Sequence, residues 1–377
     1  MTSTETHWLF KQRHTTLSKK LRHSGFDVLA LNPGPSLTYL TGLHFHLTER
    51  PIVLLFIPDK QPCIILPELE AAKLKDLPFS IAAFSYGEDP MQWIGVFQRA
   101  AESAGIVGEK KIGVEPRTLR ILEMQLLEEA MPLASLIPAD NSIAALRMYK
   151  DSHELEAMSL AANIAQNAIQ AILPNIKIGM SEKEIANELT IQLLRHGSSP
   201  KLPFMPIVST GPNSANPHAF PSERKLADGD LLVIDWGANV DGYYSDITRT
   251  FAVGQIEPEF AKIAQIVYQA NQTGRATAKQ GVLACDVDQA ARSVIEKAGY
   301  GDYFIHRTGH GLGMEVHEEP YIRNDNQLML ENGMTFTIEP GIYLPDHGGV
   351  RIEDDVFITE GGCQSLSDLP RELIIIG

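Results

Sequence analysis

Two aspartates on facing strands restrict the fold of this chain more than any other part of its sequence. Leu231-Leu232-Val233-Ile234-Asp235-Trp236 is one run of strand-forming residues and Tyr243-Tyr244-Ser245-Asp246-Ile247-Thr248 is a second, with the turn signal Val240-Asp241-Gly242 between them. A two-residue turn at Val240-Asp241 sets Asp235 directly opposite Asp246. A turn at Asp241-Gly242 makes Asp246 the diagonal neighbour, on the same face of the sheet. Either register brings the two carboxylates together. Facing carboxylates repel, so the pair costs stability unless a cation or a shared proton lies between them.

The chain that carries this hairpin has 377 residues, 44% of them hydrophobic, which suffices for two domains with separate cores. Its net charge of −15 argues against a sequence-independent binder of nucleic acid or of anionic membranes, since both need a basic face. Residues 1–11 show neither a charged n-region nor an apolar h-region, and no apolar run is long enough to span a bilayer, so a cytoplasmic protein is expected. Cys63, Cys285 and Cys363 are widely spaced, without a C-x-x-C pair, and read as reduced structural thiols.

From Phe26 to about Ala139 short apolar runs (27–31, 52–57, 63–66 and 111–115) alternate with helix-like stretches, the pattern of an α/β domain. The loop Tyr39-Leu40-Thr41-Gly42-Leu43-His44-Phe45-His46 holds two histidines, which on a loop are more often solvated than ligating. Near Pro138-Ala139-Asp140-Asn141 the period changes. Leu155, Met158, Ala162, Ala165, Ile169 and Ile172 mark one buried helical face, and Ser181-Glu182-Lys183-Glu184 is a capping box opening a helix that stops near Gly197. Further helices are predicted from Glu257-Pro258 and over residues 286–298, and a strand over Phe204 to Val208. Helices on a mostly antiparallel sheet make this second part an α+β layer structure, with domains expected at 1–144 and 145–377.

The last hundred residues supply more candidate ligands. His310 stands among glycines in Thr308-Gly309-His310-Gly311-Leu312-Gly313, where missing side chains let backbone or substrate approach. These glycines do not match the G-x-G-x-x-G phosphate cradle, and they make a helical His306/His310 pair improbable despite its i, i+4 spacing. Glu339 and Glu353 lie symmetrically about Asp346 in two strand-like runs, as in a hairpin with both acids near one end of a sheet.

Together, Asp235, Asp246, His310, Glu339 and Glu353 resemble in order and context the five metal ligands of the pita-bread metallopeptidases. Asn216-Pro217-His218, 306–313, Val316-His317-Glu318-Glu319-Pro320, Glu339-Pro340-Gly341-Ile342-Tyr343 and 349–354 are similar to the Xaa-Pro peptidase branch, prolidase and aminopeptidase P. The resemblance covers 145–377. It extends more weakly to a creatinase/prolidase N-terminal domain through Tyr39-Leu40-Thr41-Gly42 and Leu146-Arg147-Met148-Tyr149-Lys150. It implies a pita-bread catalytic domain and two divalent cations, manganese first, with cobalt, iron or zinc as alternatives. An oxygen-rich donor set with four carboxylates suits such ions. It also implies that His218 and His317 contact the scissile carbonyl, that Glu339 accepts a proton from water, and that Tyr343 and Arg351 support the ligands. The implied substrates are proline-containing dipeptides or short peptides, the implied assembly is a homodimer, and the short N-terminal part favours an Xaa-Pro dipeptidase over aminopeptidase P. Creatinase-like hydrolysis and a metal-free binding protein on the same fold are the competing expectations.

Overall fold

The computed structural model describes residues 3–377, with side chains from His7 onward. The chain divides into two compact units between Leu146 and Arg147.

The first unit is built on a six-stranded sheet whose spatial order is Ala82–Tyr86, Cys63–Pro67, Val53–Phe56, Val28–Leu31, Lys111–Val114 and Ser135–Pro138. The sheet is mixed, Leu29 pairing antiparallel with Phe56 and parallel with Gly113. Val28–Leu31 and Val53–Phe56 are buried at every position, which is why they read as continuous apolar runs without alternation. Ala82–Tyr86 and Ser135–Pro138 form the two edges, are only partly buried, and left no such signal in the sequence. His44 and His46 are exposed on the irregular segment after Gly42.

The second unit holds two sheets. Four strands run in the order Ile374–Ile376, Ile247–Val253, Leu231–Trp236, Ile207–Thr210, and five in the order Glu318–Ile322, Gly309–Gly311, Thr335–Ile338, Asp354–Thr359, Gly362–Ser365. All pairings are antiparallel except Phe251 with Ile374. An isolated bridge, Thr248 to Glu353, joins the two sheets. Helices Ser152–Ile172 and Glu182–Arg195 bury Ala162, Ala165, Ile169, Ile185 and Leu189 against Ile234 and Trp236. The Trp236 indole donates to the Ala165 carbonyl, which removes the cost of burying its N–H. Ile263 and Val267 of helix Pro258–Thr277 pack with Ile342 and Val350 of the ribbon Gly341–Leu344/Gly348–Arg351, and Val287 of helix Ala284–Lys297 packs with Phe336 and Ile338. This is the α+β arrangement that the sequence predicts.

The hairpin takes the second of its two registers. Asp235 pairs with Thr248, so Asp246 is its diagonal neighbour. The turn at Asp241-Gly242 has φ of 52° and 85°, the doubly positive geometry of a type I′ turn, and Asn239 Oδ1 accepts from the Gly242 N–H. The returning strand is broken, with a short ladder at Tyr243–Tyr244 and the long strand starting only at Ile247. A Cβ at Gly237 would lie 1.9 Å from the Ser245 carbonyl oxygen, so the break needs a glycine there. The predicted strand over 204–208 is displaced to Ile207–Thr210, because Pro203 and Pro206 cannot donate to a ladder. The symmetry about Asp346 is realised: Gly341 pairs with Arg351, and Asp346 takes φ of 58° at the turn.

Candidate metal centre

Strand alternation and two turns bring five donor side chains, each from its own segment, to one cavity of about 780 Å³. Asp235 comes from the first strand of the hairpin, Asp246 from its break, His310 from Gly309–Gly311, Glu339 from the residue after Thr335–Ile338, and Glu353 from the residue before Asp354–Thr359, so that the two glutamates flank the ribbon. Ligand atoms of Asp246, His310 and Glu353 lie within 4.8 Å of one another. His310 Nε2 stands 3.4 Å from Glu339 Oε1 and 3.8 Å from Asp246 Oδ2. Its Nδ1 is 3.2 Å from the Gly311 carbonyl, which selects the tautomer with a free lone pair at Nε2, facing the acids.

The electrostatics of this cluster are those of a place that lacks positive charge. Burial, then Glu353 and Asp235, push the Asp246 carboxyl well above its ordinary range. Burial, then Glu339 and Asp235, do the same to Glu353. Glu339 is pushed up to about 7 by burial, against the pull of Arg351. His310 is depressed by burial and then by His317, so it is held neutral, as a ligand must be. Asp235 Oδ1 and Asp246 Oδ1 are buried without any hydrogen-bond partner. Buried unpartnered acceptors on clustered carboxylates, with a neutral imidazole beside them, fit a divalent-cation site with hard, oxygen-rich ligands.

The residues around the cluster divide into two sets. Arg351 is fully engaged: it donates to Asp235 Oδ2 at 2.6 Å, to the Tyr343 hydroxyl at 3.0 Å and to Thr248 Oγ1 at 3.0 Å. Thr248 Oγ1 in turn donates to Glu353 Oε2 at 2.6 Å. Arg351 thus touches Asp235 directly and Glu353 through Thr248, while the Tyr343 hydroxyl meets Arg351 and His306 rather than any of the five donors of the cluster. His218 and His317 both line the cavity, His317 ring-to-ring with His310 at 4.3 Å and His218 exposed at the mouth.

Several participants escaped the sequence reading. His306, set aside there as an improbable helical partner of His310, accepts from the Tyr343 hydroxyl at Nε2, 2.8 Å away, and burial pushes its pKa down to about 3. Its place four residues before His310 in a glycine-rich run was the available signal. Asp355, fully buried, accepts the Asp246 backbone N–H at 2.9 Å and fixes the broken strand. Arg307 lines the cavity half-buried, its guanidinium 4.5 Å from the centre of the Tyr321 ring. Phe204, Met205, Ile207 and Phe220 supply an apolar wall.

The model of metallopeptidase family M24 matches residues 156–360, which include all five donors. The chain belongs to metallopeptidase family M24. Residues 13–149 match the creatinase/prolidase N-terminal domain, so the pita-bread fold with its α/β N-terminal unit is the architecture found. An Xaa-Pro dipeptidase from Lactobacillus helveticus is 34% identical over 96% of this chain and 98% of its own. The crystal structure of a dipeptidase from Pyrococcus horikoshii OT3 superposes with a TM-score of 0.90 at 40% identity, covering 97% of this chain and all of that one. An X-Pro aminopeptidase from Thermotoga maritima MSB8 superposes with a TM-score of 0.83 at 30% identity, over 96% of this chain and 98% of its own. The M24 chain is therefore an enzyme, a peptidase, and among its described residues no helix is long and apolar enough to cross a membrane.

Proposed function

We propose that this M24 peptidase hydrolyses the bond between an N-terminal residue and a following proline in dipeptides, at two divalent cations held by Asp235, Asp246, His310, Glu339 and Glu353. The observation that carries the reading is the buried carboxylate cluster with two unpartnered oxygens on the floor of an apolar-walled cavity. Bound there, manganese, or cobalt, iron or zinc in its stead, would polarise the scissile carbonyl and make hydroxide available near neutral pH. Glu339 accepts the proton of the attacking water and returns it to the proline nitrogen, which cannot leave unprotonated. His218 and His317 donate to the carbonyl oxygen as it gains charge. The apolar wall of Phe204, Met205 and Ile207 suits a proline ring, which has no N–H to satisfy. A homodimer in the cytoplasm is the proposed working state, on the family resemblance and the composition.

The preference for dipeptides rests on Arg307. A dipeptide presents a free carboxylate, and of the two arginines lining the cavity Arg351 is committed to Asp235 while the Arg307 guanidinium has no hydrogen bond or ion pair among the described residues. The test compares Xaa-Pro, its C-terminal amide and Xaa-Pro-Xaa in wild type and Arg307→Ala. Amidation is expected to weaken kcat/KM by about 1.5–3 kcal/mol, roughly 10- to 100-fold, the value of a hydrogen bond to a charged group, and Arg307→Ala is expected to remove that difference. Equal or faster cleavage of longer peptides would make the enzyme an aminopeptidase P and leave the metal chemistry as proposed.

A further inference from the structure

We infer that Glu182 is a positioning residue for His218, holding the cavity-lining segment 211–221 at both of its ends with one carboxylate. The inference rests on the role proposed above for His218. Glu182 opens the helix Glu182–Arg195 and is completely buried, although the capping box that spans it, Ser181 with Glu184, makes no use of its side chain. Its Oε1 accepts from the Thr210 backbone N–H at 2.7 Å and from Asn213 Nδ2 at 3.0 Å. Its Oε2 accepts from the Ser222 backbone N–H at 2.8 Å and from Ser222 Oγ at 2.6 Å. Thr210 ends the strand Ile207–Thr210 and Ser222 follows Pro221, so the segment leaves and re-enters the fold at the same anion. Charge-assisted bonds of this kind are about twice as strong as neutral ones.

Between those two ends the segment carries Pro217, His218, Ala219, Phe220 and Pro221, all lining the cavity. His218 is exposed, and its imidazole makes no hydrogen bond or ion pair to the described residues; only its backbone N–H is tied, to Asn216 Oδ1 at 3.1 Å. The ring's position over the cavity floor is therefore set by the backbone that carries it. Two inner ties complete the frame: Ser214 Oγ accepts from the Gly349 N–H at 2.8 Å, and the Pro217 carbonyl accepts from Arg351 at 3.3 Å. Glu182 thus reaches the reacting centre only through the loop, from the helix on its far side.

A contact made mainly in the transition state lowers kcat with little change in KM when it is lost. A glutamine at 182 keeps one acceptor and turns an N–H₂ toward donors, so the loop end at Ser222 or Thr210 is released. The experiment is a double-mutant cycle of Glu182→Gln and His218→Ala on an Xaa-Pro dipeptide, with metal content, urea midpoint and amide exchange of 211–221 measured on each protein. Expected are a fall in kcat of about tenfold for Glu182→Gln, within the 10²–10³-fold loss for His218→Ala, no further loss in the double variant, unchanged metal content, and faster exchange confined to 211–221. Ser222→Ala, which removes one donor and leaves the carboxylate, supplies a milder version of the same cycle should Glu182→Gln fold poorly. If Glu182→Gln or Ser222→Ala lowers kcat by the same factor with and without His218, the inference is overturned and the role of His218 stands. If His218→Ala turns over at the wild-type rate, the role of His218 falls, and that of Glu182 with it.

Discussion

Glu353 and Asp354 are neighbours in the chain, both buried, and they meet opposite surroundings. Asp354 accepts from Arg249 at 2.8 Å, Arg371 at 2.7 Å, Ser367 at 2.8 Å and Asn271 at 3.1 Å. Burial alone would raise its pKa, yet Arg249 and Arg371 hold the carboxyl far below the usual carboxylate range. Glu353 faces Glu339 and Asp235 instead, and burial with those charges holds it well above. The alternation of one strand makes the difference: Thr248 meets Glu353 and its neighbour Arg249 meets Asp354. Asp354 is neutralised from within the chain and ties the sheet to the C-terminal segment, Arg249 also reaching the Leu369 and Pro370 carbonyls. Across the strand the acids are left short of cations: among the described residues Arg351 donates to Asp235 and Arg307 lines the same cavity, against four carboxylates. A buried charge without a counter-charge is a strong liability, so an acidic cluster kept in that state is built for a cation that arrives from outside.

The comparison breaks most visibly at Asp246. Asp246→Asn is expected to lose bound metal and all Xaa-Pro turnover, while the chelator-treated variant unfolds at higher urea than chelator-treated wild type, by about 1 kcal/mol or more, the worth of one pKa unit of relieved repulsion. Metal analysis, turnover and urea melts of the same preparations check this. Full turnover in a metal-free variant would end the metal reading.

The same isosteric change one strand face away should act with the opposite sign. Asp354→Asn leaves Arg249 and Arg371 buried around a neutral amide and is expected to destabilise the protein by about 3–5 kcal/mol, the cost of breaking a buried ion pair. Turnover per folded molecule should change far less than in Asp246→Asn. If urea unfolding in chelator shows the two variants to be equally stable, the two clusters do not differ in the way argued.

Only one side of this contrast was legible in the sequence. Period two and turn chemistry are local, so the facing aspartates and the mirror placement of Glu339 and Glu353 about Asp346 could be read directly. The choice of register was not, because it depends on whether Val240-Asp241 or Asp241-Gly242 takes positive φ, and the structure gives that to Asp241 and Gly242. The guanidiniums of Asp354 come from 105 and 17 residues away in the chain, and Glu182 reaches Ser222 over 40. No spacing rule covers such distances. Asp355 and His306 look in sequence like one more acid and one more histidine, and only their hydrogen bonds to Asp246 and Tyr343 distinguish them. Pro203 and Pro206 did carry a local signal against the 204–208 strand, and the structure follows it.

The smallest expected effect is a pH dependence of the metal-free protein, and its sign follows from the same cluster. Glu339 titrates near 7 in the fold, raised from 4.5 mainly by burial, and Asp246 and Glu353 are raised as well. The folded state therefore holds protons that the unfolded chain has released. A raised carboxyl contributes stability that is complete below the unfolded value, near pH 4.5, and is lost as pH climbs through the folded value, so metal-free protein should weaken from about pH 5 to about pH 7. The slope is at most about 1.4 kcal/mol per pH unit for each such group. Asp354, with its depressed pKa, contributes the reverse trend, but only at pH below the usual carboxylate range, outside this window. Cations bind the ionised carboxylates, so metal-loaded protein should strengthen over the same interval, and the gap between the two forms should widen with pH. Urea midpoints with and without chelator across that interval measure the gap. A gap constant from pH 5 to pH 7 would mean that the acids are already ionised without metal, and the electrostatic distinction between the two faces of the strand would fail.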